Sequence, residues 1–172
     1  IVGYANWSFA KKYKSEIAIG LKHSGANNDS LLTEKDISHL PEPIKKYIRY
    51  TGSLNNFLVN NFSVEFSGHI REKQGKWMPF TSTQYNFVNA STCLFFMKAV
   101  MKHLPVKGFH CFKNDKAYMD IRILSLFKVQ YKSGKEMDIA ETVTFFNDMC
   151  CMAPATLIDK RITWMEIKDD SV

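Results

Sequence analysis

The sequence predicts an α+β fold: a strongly curved, half-barrel-like antiparallel sheet of at least five strands, preceded by helices, with one further helix packed across the concave face. Three observations carry this. Apolar residues recur at three and four residues only towards the two ends of the chain, whereas from Phe62 the period switches to two. The segments with period two are joined by turns too short to hold the crossover that parallel strands require. Turn-forming residues mark the breaks between those segments, at Gln74-Gly75-Lys76, Asn89-Ala90-Ser91 and Lys113-Asn114-Asp115-Lys116.

Taken in order, Trp7, Ala10, Tyr13, Ile17 and Leu21 lie along one side of a helix running to about Lys22, which should pack on something larger. Residues 24–30, with Gly25 and two asparagines, read as a linker. Thr33 and Asp36 mark a helix start that Pro41 limits to a turn or two. Pro43 opens a second helix, which Gly52 stops. Its Ile44, Tyr47 and Ile48 should face inward while Lys45, Lys46 and Arg49 stay wet.

Phe62, Val64, Phe66, Gly68 and Ile70 then alternate with Ser63, Glu65, Ser67, His69 and Arg71, so one face is buried and the other solvated. After the turn at 74–76, residues 77–88 read as the partner strand, with Pro79 suited to an edge or bulge. Residues 92–101 are apolar on both faces except at Lys98, which predicts a strand covered on both sides. His103-Leu104-Pro105 breaks the run. Residues 106–112 and 117–131 supply two more strands about the turn at 113–116. Ser133-Gly134 closes the sheet. Asp138 and Glu141 resemble a capping box for a helix whose Ile139, Val143, Phe146 and Cys150 share one face, and Pro154 ends it. Residues 162–167 read as a last strand.

A chain of 172 residues, 45% hydrophobic and with 13 phenylalanines, can bury a core of its own without disulfide or metal staples. That composition excludes disorder. The net charge of +6 is uneven: residues 54–135 hold 12 Lys/Arg against four Asp/Glu, whereas residues 136–172 hold three against eight. Such a basic sheet could face nucleic acid or anionic lipid headgroups, but no Lys/Arg run or RNA-binding motif occurs, so a solvated face of alternating lysines explains it better and no nucleic-acid partner is expected. Cys93, Cys111, Cys150 and Cys151 follow no C-x-x-C spacing and read as reduced thiols. His103, His110 and Cys111 lack a second cluster, so no metal and no cofactor is expected.

The segment LPEPIKKYIRYTG (Leu40, Pro41, Pro43 and residues 47–50), followed by Gly68, Arg71, Trp77, Phe80 and Gln84, resembles a family of uncharacterised bacterial proteins. In that family a leucine-proline-x-proline…arginine-tyrosine helix precedes a tryptophan…glutamine strand. Trp7-Ser8-Phe9, Ala140-Glu141, Phe146-Asn147-Asp148, Pro154, Leu157, Trp164 and Ile167 extend the resemblance over nearly the whole chain. It departs at His110 and Phe112, where the family pattern has aspartate and tyrosine. The resemblance implies an N-terminal membrane anchor, and hence a membrane-associated setting, with the extracytoplasmic and cytoplasmic sides both open. On that reading residues 1–30 are a helix and linker following an anchor, and residues 31–172 are one α+β domain. The opening Ile-Val-Gly-Tyr-Ala, followed by Lys11, Lys12 and Lys14, fits the end of such an anchor. It also implies further strands beyond the chain and an open sheet edge at residues 162–167.

No G-x-S-x-G, H-E-x-x-H, phosphate loop or dinucleotide fingerprint occurs, so no catalytic residues are assigned. By analogy of architecture with bacterial lipoprotein carriers, the expected function is binding of a lipid-like or other apolar small molecule without chemistry. The candidate ligand-binding residues are Phe95, Met97, Met101, Phe109, Met119 and Ile121 on the concave face, Phe146 on the helix above it, and Trp77 and Gln84 as a polar pair on one strand. Eight methionines suit a pliable apolar surface. The same residues could equally fill a core. The alternatives are a membrane-tethered domain that contacts a protein partner, and a hydrolase with an unrecognised site.

Overall fold

The computed structural model describes residues 2–24, 30–71 and 73–165. The chain divides into two compact units, one of Ile1–Gly25 with Asn61–Phe145, the other of Ala26–Asn60 with Phe146–Val172.

In the first unit six strands follow one another in space as in sequence: β1 (Asn61–Ile70), β2 (Met78–Phe87), β3 (Thr92–Met101), β4 (Leu104–Lys113), β5 (Lys116–Ile123) and β6 (Phe127–Ser133). All five pairings are antiparallel. Tight turns set the register. Asn114 and Asp115 both have positive φ, as a two-residue turn matched to strand twist requires. Lys102 and His103 do the same, at φ 49° and 66°. The break expected at His103-Leu104-Pro105 is therefore a two-residue hairpin one residue earlier. Pro105 lies within β4 opposite Val100, and its carbonyl accepts from the Leu124 amide at 2.9 Å.

The stretch expected as one strand over residues 117–131 is two. Leu124 and Ser125 turn with φ 55° and 59°, and Leu126 N–H donates to the Ile123 carbonyl at 3.1 Å. Leu-Ser-Leu carries no glycine, proline or asparagine, so the turn leaves no mark in composition.

Helix α1 (Val2–His23) packs on one face of this sheet. Its Phe9 and Tyr13 join Phe87, Leu94, Phe96, Phe109 and Cys111 in a buried cluster, where each large side chain contributes roughly 1.5–3 kcal/mol. The Tyr13 ring stacks on Phe96 at 5.0 Å and meets Phe109 edge-on at 5.7 Å, while its hydroxyl donates to the Thr83 carbonyl at 2.9 Å. Gly20 permits the approach, since a Cβ there would sit 2.4 Å from the Phe87 ring.

The opposite face receives the start of α4 (Lys135–Met152), whose residues up to Phe145 belong to this unit. The capping role expected of Asp138 does not occur. The helix begins at Lys135, after Gly134 at φ 127°, and the Asp138 carboxylate instead accepts from Ala117 N–H at 2.7 Å and Lys116 Nζ at 2.8 Å. The expected apolar face is also displaced, for Ile139 and Val143 are 56% and 55% exposed. Asp138, Glu141 and Phe145 turn inward, with Phe145 meeting the Phe112 ring at 6.1 Å. The inner face is chosen by the donors and rings that the sheet offers, not by apolar spacing alone.

The sheet curls towards this second face. Ile70 and Arg71 at the β1 edge and Val129 and Gln130 on β6 line one cavity although β1 and β6 are opposite edges of the sheet, and no hydrogen bonds close it into a barrel.

In the second unit, Thr33 N–H and Oγ1 both donate to Asp36 Oδ2, at 2.7 and 2.6 Å, to start α2 (Glu34–Ile37). Pro41 precedes α3 (Glu42–Tyr50), and Gly52 ends the turn after it at φ 70°. Ile48 is fully buried, as expected, and Ile44 is half-buried. Tyr47 is exposed, with its hydroxyl donating to the Cys150 carbonyl at 2.7 Å. Arg49 binds Glu34 through two donors at 2.9 and 2.8 Å. Leu32, Ile37, Leu40 and Leu157 are buried apolar residues of the same unit.

The last expected strand is not formed. Residues 162–165 have no regular structure because Asp159 folds the chain back: it accepts from Arg161 N–H at 2.9 Å, and Ile162 N–H donates to its carbonyl at 3.0 Å. Residues 166 and 167 lie outside the described residues, as do residues 25–29 of the expected linker.

Candidate ligand site

Strand alternation sorts the sheet residues between α1 and the concave side. On the concave side the register aligns Gln84, Phe95, His110 and Met119 in one row across β2 to β5, and Ser82, Met97, Gly108 and Ile121 in the next. Towards the turn at 102–103 follow Ala99 and Val106, then Met101 and Leu104. The rows near α4 are partly polar and the rows near that turn apolar.

At the apolar end lies a cavity of about 230 Å³ lined by Ile70, Met78, Met97, Ala99, Met101, Val106, Ile121 and Val129, with Arg71 and Gln130 as its polar members. Three of the lining residues are methionines, whose unbranched side chains adapt to varied shapes. Gly108 keeps the floor low, for a Cβ there would meet Met97 Cε at 3.7 Å and Ile121 Cγ1 at 3.8 Å. A wider, open depression of about 740 Å³ shares Met78 and Met101 and is bordered by Lys76, Trp77, Val100, Lys102 and His103. The Arg71 guanidinium stacks over the Trp77 ring at 4.6 Å.

The structure thus brings together Met97, Met101 and Ile121 in the cavity and sets Trp77 in the wider depression that shares Met78 and Met101 with it. Gln84, Phe95 and Met119 share the concave side but stand one row nearer α4. Phe109 does not belong with them. The two-residue turn at 102–103 pairs it with Phe96, so it lies on the other face, fully buried beneath Tyr13 of α1. Phe146 belongs to the second unit, where its ring packs against Trp164 at 6.1 Å. Trp77 and Gln84 form no common polar site, because Gln84 is buried and donates to Asn86 Oδ1 at 2.8 Å.

Sequence reasoning missed Ile70, Arg71, Met78, Ala99, Val106, Val129 and Gln130 as lining residues. The alternation that puts Ile70 on the same face as Phe62, Val64 and Phe66 was visible, although at the strand's end it stays 38% exposed. Nothing local to the sequence places it beside Gln130.

Near α4, His110 Nε2 lies 3.4 Å from Glu141 Oε1 but makes no hydrogen bond. Burial holds this imidazole below the usual histidine pKa, so it is neutral near neutral pH. Its neighbours in register, Phe95 and Met119, cannot act as nucleophiles. Cys93, Cys111, Cys150 and Cys151 form no disulfide among the described residues, and burial pushes the Cys111 thiol above its ordinary value. Among the described residues no three His, Cys, Asp or Glu side chains converge to hold a metal ion, and no helix is long and apolar enough to cross a membrane.

Comparison with curated proteins and with solved structures gave no match. Residues 30–172 match the family model DUF6544, described as a family of unknown function. The matched segment contains all six strands and α4. It omits α1, although Phe9 and Tyr13 of that helix complete one face of the sheet. The chain belongs to the DUF6544 family.

Proposed function

We propose that this domain binds a lipid-like or other apolar ligand in the concave cavity, without performing chemistry on it. The observation that carries the reading is the cavity's build: apolar walls with three methionines, a position at the end of the sheet away from α4, and, among the described residues, Arg71 as the charged side chain of the lining. At about 230 Å³ it is smaller than the ~300–1,000 Å³ of typical small-molecule sites, which suits one acyl chain better than a whole phospholipid. The Arg71 guanidinium in the lining suits a carboxylate or phosphate head, because its planar donors match either group in pairs.

Titration with a fatty-acid probe that fluoresces in apolar surroundings tests this. Gly108→Val is the informative variant. Its Cβ fits in ordinary contact, while its two methyl groups extend from the floor between Met97 and Ile121. Saturable uptake of one molecule by the native chain, weakened at least about tenfold in the variant with thermal unfolding unchanged, is the expected outcome. Uptake that does not saturate, or that ignores the substitution, contradicts the reading.

A further inference from the structure

At the end of the sheet away from α4, the β1–β2 and β3–β4 turns and the start of β6 carry two kinds of exposed side chain together. Trp77 is 59% exposed and Phe127 is 65% exposed, with Val100 and Leu104 also open to solvent. Around them stand Arg71, Lys73, Lys76, Lys102 and Lys128, all exposed. Among the described residues none of these five cations is paired with a carboxylate. The contrast within the same unit is direct, for Lys113 and Lys116 at the opposite end bind Glu16 and Asp138 at 2.9 and 2.8 Å.

The turn itself adds an independent observation. A two-residue hairpin with positive φ at both positions is best served by Asn-Gly or Asp-Gly, yet this one is Lys102-His103. A lysine held at φ 49° bears a steric cost that asparagine or glycine would relieve.

We propose that this hairpin end docks on an anionic lipid bilayer, with Trp77, Leu104 and Phe127 entering the headgroup region and the cations lying against the negative surface. Aromatic side chains favour that depth, and each basic residue near the surface raises partitioning by roughly fivefold. Nucleic acid fits less well, because it would satisfy the cations but leave Val100, Leu104 and Phe127 without apolar contact. The proposal does not depend on what the cavity holds. It does place the cavity mouth at the membrane.

Co-sedimentation of the chain with phosphatidylcholine vesicles, with and without phosphatidylserine, at low and at raised salt, tests it. Binding should require phosphatidylserine and fall with salt, and Trp77 emission should shift to the blue on binding, a shift that Trp77→Phe removes. Lys76→Glu with Lys102→Glu should weaken binding at least about tenfold. Leu104→Ser with Phe127→Ser should weaken it without changing the salt dependence. Lys102→Asn with His103→Gly is the decisive pair, since residues suited to positive φ should hold or raise the melting temperature while vesicle binding drops. Gly108→Val should bind vesicles as the native chain does, which separates this proposal from ligand uptake. Equal binding to neutral vesicles, no binding to either, or full binding by the turn variant overturns it. So does tight, salt-sensitive binding to duplex DNA that is indifferent to the Leu104 and Phe127 substitutions.

Discussion

The two ends of the concave face are built from the same strands and treated in opposite ways. At one end α4 closes the face: Phe145 meets Phe112, Asp138 accepts a hydrogen bond from the Ala117 amide, and Lys116 has a carboxylate of its own. At the other end Met97, Met101 and Ile121 surround a cavity, and Arg71, Lys76 and Lys102 stand without acidic partners among the described residues. Satisfied polar groups and contacting rings mark the part of a sheet that holds a fold together. Unpartnered cations beside exposed apolar side chains mark a part kept for contact with something else.

Substitutions should separate the two ends. The largest effect belongs to Phe112→Ala at the closed end, where loss of a ring only 1% exposed should cost about 3–5 kcal/mol in urea unfolding. Leu104→Ala at the open end should stay within about 0.5 kcal/mol. Comparable losses at both would break the comparison, since the open end would then be core.

A smaller effect, visible through pH, is expected at Asp138. The bond from Lys116 and then the Ala117 amide hold this carboxyl below the ordinary aspartate range. Its folded pKa lies under its unfolded one, so its stabilisation is complete above the ordinary value and is lost as pH falls through the folded value. Asp138→Asn should lower the melting temperature near neutral pH and flatten its decline in acid. A variant with an unchanged acid limb would remove Asp138 from the account.

Smaller again is Tyr13→Phe on the other face, which deletes the hydroxyl bonded to Thr83 and should cost about 1 kcal/mol. An effect near zero would mean that α1 is held by its rings alone.

How far the sequence reveals this arrangement depends on where each residue's partners lie. β1 was legible because it is an edge strand with one solvated face, which makes Phe62, Val64, Phe66 and Ile70 alternate cleanly. The side taken by Phe109 was not, because register follows the length of a turn, and Lys102-His103 has none of the residues that announce a two-residue hairpin. The inner side of α4 was misread for a different reason. Asp138 and Glu141 look like solvated helix-start acids, yet they meet Ala117 N–H, Lys116 and His110 on strands about twenty to thirty residues away. The cavity was half legible. Met97, Met101 and Ile121 could be placed on one side of the sheet, but Arg71 and Gln130 reach the same space only through curvature, which leaves no local pattern.

The most direct test of the central claim, that the open end of the concave face takes an apolar ligand, is native mass spectrometry of the chain purified without detergent and incubated with octanoic, lauric and palmitic acids. The account predicts an adduct of one fatty acid per chain that is retained in Leu104→Ala and lost in Gly108→Val. A bare mass with every acid, or an adduct unchanged in Gly108→Val, would contradict it.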